Sequence, residues 1–304
     1  MDNRQKEGLA RLAGEGLWFG CPMDQRTTFH VGGEAEALYE ATDMGRLQRL
    51  IAYLSKQFIP YLVVGRGSNL LVKDEGLKGL VILLRGSLAA IERCETADSA
   101  LMAGGGVGLT DLLAYCRDSG LGGLEFMAGI PGTVGGAVAM NSGAFGYEIG
   151  ERVREIHLLT PKGDLAIRDR SQIEFSYRTL KVDKGSVIIG AVFGLDREGE
   201  GVVGERISGY LRRRKERQPL EYPSAGSVFR NPPNDYAGRL IEQTGLKGKR
   251  IGGAMVSHKH ANFIINTGGA KADDILALLS LVQERVKEKT GINLEPEIKV
   301  VGEE

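Results

Sequence analysis

The sequence predicts an α+β protein, and three observations carry that expectation. A strand–helix–strand unit lies in roughly the first quarter of the chain, a strand-rich stretch follows, and a region of alternating helices and short strands closes it. Apolar residues recur at steps of three and four only in a few segments, as amphipathic helices require. The 44 glycines cluster in short runs instead of following a period, which excludes collagen-like or low-complexity sequence.

The elements follow in order. Residues 1–20 read as a short helix. Glu36–Ala41 reads as a strand, and Asp43–Gln57 as a helix with Met44, Leu47, Ile51, Leu54 and Phe58 on one face. Tyr61–Val64 is a buried strand running into Gly65–Val72, and Leu80–Leu84 is another apolar strand. Further strands are expected at Ala89–Cys94, Leu101–Ala103, Val153–Thr160 and Val187–Leu195, with a helix at Thr110–Ser119 stopped by Gly120. Pro161–Asp164 is a turn between two strands. Val202–Arg217 is helical and ends before Pro219. Beyond it lie a helix at Asp235–Thr244, a strand at His260–Asn266 and a long helix at Lys271–Lys289. That helix has Ile275, Leu279, Val282 and Val286 on one face and is stopped by Gly291; a last strand covers Asn293–Val301. The 304 residues divide, on this reading, into segments 1–84, 85–200 and 201–304.

Composition excludes several function classes. Lys+Arg and Asp+Glu both number 39, so the basic excess of a nucleic-acid binder is missing. No stretch has the length and apolarity of a membrane span, and residues 1–20 lack a signal-like apolar segment. The three cysteines, Cys21, Cys94 and Cys116, form no C-x-x-C pair, which fits a reduced cytoplasmic protein without structural zinc. His258 and His260 have no partnering carboxylate pattern, so no metal site is expected. Arg212, Arg213, Arg214, Lys215 and Arg217 form a basic run that reads chiefly as a solvated helix face.

Two glycine segments carry chemistry. In Gly65–Leu70, Gly65 and Gly67 on either side of Arg66 would turn backbone N–H groups toward a phosphate, while Ser68 and Asn69 add side-chain donors. This is not the dinucleotide fingerprint, because Leu70 stands where a third glycine belongs and the chain returns to a strand. The segment Gly129–Gly146 contains Gly129, Pro131, Gly132, Gly135, Gly136 and Gly143. Its small residues would let a flat, wide ligand lie against backbone, with Thr133, Asn141 and Ser142 supplying polar contacts.

The blocks Thr27–Gly33, Val64–Val72, Gly129–Gly146, Ser176–Arg178, Tyr222–Pro232 and Leu294–Ile298 occur in one order along the chain. Together they resemble the signature of the UDP-N-acetylenolpyruvoylglucosamine reductase family. The resemblance implies a vanillyl-alcohol-oxidase-type FAD-binding fold, with two α+β subdomains (1–84 and 85–200) followed by an α+β substrate-binding domain (201–304). It also implies non-covalent FAD held by the two glycine segments, NADPH as co-substrate and a sugar-nucleotide substrate, in a monomer. Hydride would pass from NADPH through flavin to the methylene carbon of an enolpyruvyl ether.

Residue by residue, the resemblance makes Ser227 the proton donor and Arg178 the clamp on the substrate carboxylate. Glu297 falls on the other side of that carboxylate, where crowding of like charges would favour its neutral, donating form. Tyr177, Arg217 and Asn231 match substrate-binding positions, Arg217 at the diphosphate. The short span between Ser227 and Glu297 resembles the compact subclass without a capping tyrosine. His30 stands where a basic residue is common and reads as a loop or surface residue. A different FAD oxidoreductase of the same fold, and a silent nucleotide-binding module, are the alternatives; neither needs Arg178, Ser227 and Glu297 together.

Overall fold

Helices α1 (Asn3–Ala13) and α2 (Met44–Lys56) each begin at an aspartate that accepts a backbone N–H, Asp2 from Gln5 and Asp43 from Arg46. The structure is a computed structural model and describes residues 1–94, 99–199 and 201–302. These residues divide into two compact units. One comprises Met1–Phe19, Ala37–Gly65 and Gly79–Arg212; the other comprises Gly20–Glu36, Arg66–Lys78 and Arg213–Glu304.

The first unit has two cores. In one, α1 and α2 bury Leu9, Leu47, Leu50, Ile51 and Leu54 against a four-stranded sheet ordered Leu17–Pro22, Glu34–Ala41, Leu77–Leu84, Tyr61–Val63. Tyr61–Val63 and Leu77–Leu84 run parallel, as a crossover connection allows. The other core lies on an antiparallel five-stranded sheet ordered Leu165–Asp169, Val153–Leu159, Val187–Gly194, Ala100–Gly104, Ile91–Arg93. Helix α3 (Leu109–Asp118) and helix α4 (Val134–Ala139) contribute to it. The near-continuous apolar strand Val187–Gly194 serves both cores: Val187 and Ile189 enter the first, Ile188, Ala191 and Phe193 the second. Helix α5 (Val202–Arg217) continues the chain toward the second unit.

The second unit packs helix α6 (Ala237–Gln243) and helix α7 (Ala272–Thr290) with an antiparallel sheet of Arg250–Ile251, Ala254–Val256 and Ile264–Asn266. Its core includes Phe29, Val31 and Leu71 beside Val228, Phe229, Ile275, Leu278 and Val282. Leu70–Val72 pairs in parallel with Lys299–Val301. Segments 20–36 and 66–78 therefore pack with the C-terminal residues, although contiguous reading counted them in 1–84. The boundary expected at 84/85 lies inside one unit, because both of its cores share a strand. The one expected at 200/201 falls partly on residue 200, outside the described residues.

Local differences have physical reasons. Leu17–Pro22 is a strand where only a helix was expected over 1–20; Trp18 and Phe19 are both exposed on it, so no burial alternation marks it. Only Ile264–Asn266 and Lys299–Val301 are regular strand within the longer runs expected. Gly291 ends α7 in the left-handed conformation at φ 74°.

Candidate active site

In the first unit, Gly65 ends the segment that follows Tyr61–Val63, and it meets the second glycine segment directly. A Cβ on Gly65 would lie 2.4 Å from Thr133 Oγ1. Thr133 is the N-cap of α4, its hydroxyl accepting from Gly136 N at 3.5 Å. Gly135 packs α4 flat on the sheet, since a Cβ there would stand 3.0 Å from Gly105 O and 3.1 Å from Ile188 O. The exposed positions at the start of this helix are Gly129, Pro131 and Gly136, with Gly132 half-buried. At Gly136 a Cβ would find nothing nearer than Thr133 Oγ1 at 3.6 Å.

Asn141 departs from the expected ligand contact. It is buried at 1% exposure, with φ 41°. Its amide donates to Glu148 Oε2 at 2.5 Å and to Ser176 O at 3.1 Å, and its carbonyl accepts from Gly150 N at 3.1 Å. Both amide hydrogens are committed internally, so Asn141 acts by joining the glycine segment to the hairpin that carries Arg178. Ser142 follows, half-buried, its carbonyl accepting from Ile149 N at 2.9 Å.

That hairpin pairs Phe175–Ser176 with Thr179–Leu180, leaving Tyr177 and Arg178 as its two-residue tip. Arg178 takes φ 59°, in the left-handed region that non-glycine residues seldom adopt. Its guanidinium lies 4.9 Å above the Tyr177 ring centre, and Nη2 donates to Gly143 O at 3.2 Å. A Cβ on Gly143 would stand 2.4 Å from Tyr147 O and 3.2 Å from Arg178 Nη1, so this glycine makes room for the Tyr147 carbonyl first and for the arginine second.

In the second unit, the run from exposed Arg66 to buried Leu70 begins the strand Leu70–Val72. Gly67 has φ 62°, and a Cβ there would meet Arg26 O at 2.2 Å. Thr28 N donates to Gly67 O at 3.4 Å, which ties the Thr27–Gly33 block to the loop. Ser68 is half-buried. Asn69 donates from Nδ2 to the carbonyl of Glu297 at 3.1 Å, and its own carbonyl accepts from Lys299 N at 2.9 Å. His30, exposed with φ 54°, is a loop residue.

Ser227 follows Gly226 at φ 76° and forms an isolated bridge to Phe263, while Phe229 bridges to Pro296. Glu297 N donates to Val228 O at 2.8 Å, so the backbones of Ser227 and Glu297 belong to neighbouring strand-like segments. Both residues are half-buried. Among the described residues the Ser227 hydroxyl has no intramolecular partner. Asn262, 3% exposed, was not singled out from sequence. Its amide donates to Phe229 O at 2.8 Å and accepts from Phe229 N at 3.0 Å, and its main-chain carbonyl accepts from Val228 N at 2.9 Å. A polar residue inside the apolar run Ala261–Ile265 was the available signal.

Asn231 accepts from Ala237 N at 3.1 Å and so caps α6. In the basic run, Arg212, Arg213, Lys215 and Arg217 are exposed, as a solvated face requires. Arg214 is buried, and desolvation pulls its guanidinium down to about 10. Its Nη1 donates to Gln218 Oε1 at 3.2 Å. Among the described residues no cluster of His, Cys, Asp and Glu is arranged to hold a metal ion, and no helix is long and apolar enough to cross a membrane.

Residues 35–167 match the FAD binding domain family, and residues 218–301 match the C-terminal domain of UDP-N-acetylenolpyruvoylglucosamine reductase. A protein of that name from Geobacter metallireducens is 47% identical over 284 residues, covering 93% of each chain. One from Caldanaerobacter subterraneus is 40% identical over 297 residues, covering 97% of each chain. Among solved structures, the UDP-N-acetylenolpyruvylglucosamine reductase of Thermus caldophilus aligns with a TM-score of 0.79 at 34% identity. That alignment covers 93% of this chain and 97% of the other.

Proposed function

This chain belongs to the UDP-N-acetylenolpyruvoylglucosamine reductase family, and we propose that it reduces UDP-N-acetylglucosamine enolpyruvate to UDP-N-acetylmuramate for peptidoglycan synthesis. FAD is its cofactor and NADPH its reductant. Bound flavin would supply the hydride-transfer chemistry that links NADPH to the enolpyruvyl methylene carbon. The observation that carries the proposal is the pairing of the Ser227 and Glu297 segments, with Glu297 N bonded to Val228 O at 2.8 Å.

The residues fit a flavin. Exposed Gly129 and Gly136 present main chain without bulk beside exposed Pro131, and a Cβ at Gly136 would meet nothing nearer than 3.6 Å. Ser68 and Ser142 offer hydroxyls on the two glycine segments, beside the backbone of Gly65–Leu70 and of Gly132 and Thr133. We assign flavin binding to these segments, with Asn141 and Gly135 shaping them from within.

Each remaining residue has a chemical task. Hydride arrival at the methylene carbon leaves negative charge on the neighbouring carbon and its carboxylate. Ser227 gives its hydroxyl proton to that carbon and regains one from water. A serine is a weak acid, but the carbanion is a stronger base, so fixed geometry makes the transfer feasible. Arg178 holds the carboxylate, and the planar fork of its guanidinium suits the growing charge. Glu297 supplies the opposing hydrogen bond. Arg217, Tyr177 and Asn231 bind the sugar nucleotide, Arg217 at the diphosphate. The residues 201–304 act as the substrate domain, and the enzyme works as a cytoplasmic monomer.

The test is anaerobic. Flavin reduced by NADPH should be reoxidised by the enolpyruvyl sugar nucleotide and not by the same sugar nucleotide lacking the enolpyruvyl group. Equal reoxidation by both, or by neither, contradicts the proposal.

A further inference from the structure

The carbonyl of Glu297 lies just before the point where regular pairing of the last strand begins. Lys299, Val300 and Val301 pair in parallel with Leu70, Leu71 and Val72. Asn69 continues that ladder one step with its main chain, its carbonyl accepting from Lys299 N at 2.9 Å. Beyond Asn69 the chain turns through Ser68 and Gly67, and the regular parallel pairing covers Leu70–Val72. The Asn69 side chain reaches back, and Nδ2 donates to Glu297 O at 3.1 Å. An amide side chain carries the same donor as a peptide group and can stand in for a strand residue. On its other side, Glu297 N is held by Val228 O at 2.8 Å.

We infer that Asn69 is a positioning residue for Glu297. It sits on the loop assigned to flavin phosphate, yet its amide addresses the backbone of the carboxyl group that faces the substrate. The residues around Glu297 are not regular strand, and two hydrogen bonds from opposite sides hold its main chain, one from Asn69 Nδ2 and one to Val228 O. Losing the Asn69 bond takes one donor from the Glu297 carbonyl. The peptide can then tilt and carry the carboxyl group with it. Catalysis responds steeply to such displacement. The same bond makes the order of the flavin loop and the placement of the carboxyl group depend on each other. The inference rests on the proposed reductase function, because only that function gives Glu297 a role in reoxidation.

A double-mutant cycle separates positioning from a general loss of stability. Rate constants for flavin reoxidation by the enolpyruvyl sugar nucleotide are measured anaerobically for wild type, Asn69→Ala, Glu297→Gln and the double variant. The flavin signal reports only molecules that carry cofactor, so weaker flavin retention does not enter the rate constant. Asn69→Ala should slow reoxidation about tenfold in the wild-type background. With Glu297→Gln already present, the same change should cost less than about twofold. If Asn69→Ala does not fold, isosteric Asn69→Asp carries the same cycle, because it removes the donor and keeps the shape. Equal slowing in both backgrounds, or none in either, overturns the inference. Failure of wild-type reoxidation would instead overturn the proposed function, so the two failures are told apart.

Discussion

Gly65 and Thr133 stand so close that a Cβ on the glycine would lie 2.4 Å from the threonine hydroxyl. Within the first unit Gly65 thus touches the second glycine segment, and the absence of a side chain at Gly65 is what permits it. Gly65→Ala should cost about 1–3 kcal/mol of stability through overpacking. Thr133→Gly removes the obstructing atoms, and glycine at an N-cap costs only about a few tenths of a kcal/mol. The double variant should therefore recover most of the loss. Denaturant unfolding of the four apoproteins checks this, and strict additivity would mean that the two residues do not meet.

Gly136 and Gly67 should separate ligand contact from chain packing. Gly136 is exposed within α4, and a Cβ there meets nothing closer than 3.6 Å. Gly136→Ala should leave apoprotein stability unchanged or raise it by up to about 1 kcal/mol, while weakening flavin binding. Gly67→Ala faces Arg26 O at 2.2 Å and a φ of 62°. It should destabilise the apoprotein itself by about 1–3 kcal/mol. Titration of apoprotein with FAD, beside urea unfolding, resolves the two cases.

Arg178 depends on the emptiness of Gly143. A Cβ at Gly143 would stand 3.2 Å from Arg178 Nη1. Gly143→Ala should displace the guanidinium and slow flavin reoxidation by substrate more than flavin reduction by NADPH. Arg178→Lys keeps the charge but loses the planar fork, and should show the same asymmetry. Rapid-mixing absorbance of the flavin measures both steps.

Asp74 caps α7 from a distant part of the chain, its two carboxylate oxygens accepting from Ala272 N at 3.0 Å and Asp273 N at 3.2 Å. Asp74→Ala should destabilise the protein by about 1–2 kcal/mol. Asp74→Asn should retain part of this, because one side-chain oxygen survives. Thermal unfolding with matched flavin content checks the order.

Helix α7 was legible in sequence because Ile275, Leu279, Val282 and Val286 mark one face and Gly291 marks the end. Helix α4 was not, since Val134–Ala139 contains two glycines and no stripe of large apolar residues. Its stability comes from the Thr133 cap and from flat packing over Gly105 and Ile188, which only the folded chain reveals. The partnership of Leu70–Val72 with Lys299–Val301 joins residues far apart in sequence, and no local pattern names such a partner. Hence the contiguous division counted segments 20–36 and 66–78 in 1–84, whereas they group with Arg213–Glu304. The glycine segments were found, with Gly65 and Gly67 read as turning N–H groups toward a phosphate and the glycines of Gly129–Gly146 as room for a flat ligand. Gly65, Gly67, Gly135 and Gly143 each make room for another part of this chain, whereas Gly136 faces open space. Asn141 looked like a ligand contact because it is polar among small residues; its amide instead holds Glu148 and Ser176 O.

The proton-donor assignment of Ser227 is tested most directly by following both half-reactions of Ser227→Ala anaerobically in stopped flow. Nothing in that role touches hydride transfer from NADPH. The variant should bind FAD and be reduced by NADPH at nearly the wild-type rate. Its reoxidation by UDP-N-acetylglucosamine enolpyruvate should fall by about a hundredfold or more, the scale of a lost general acid. Equal slowing of reduction and reoxidation would contradict the account and make Ser227 part of a shared binding surface.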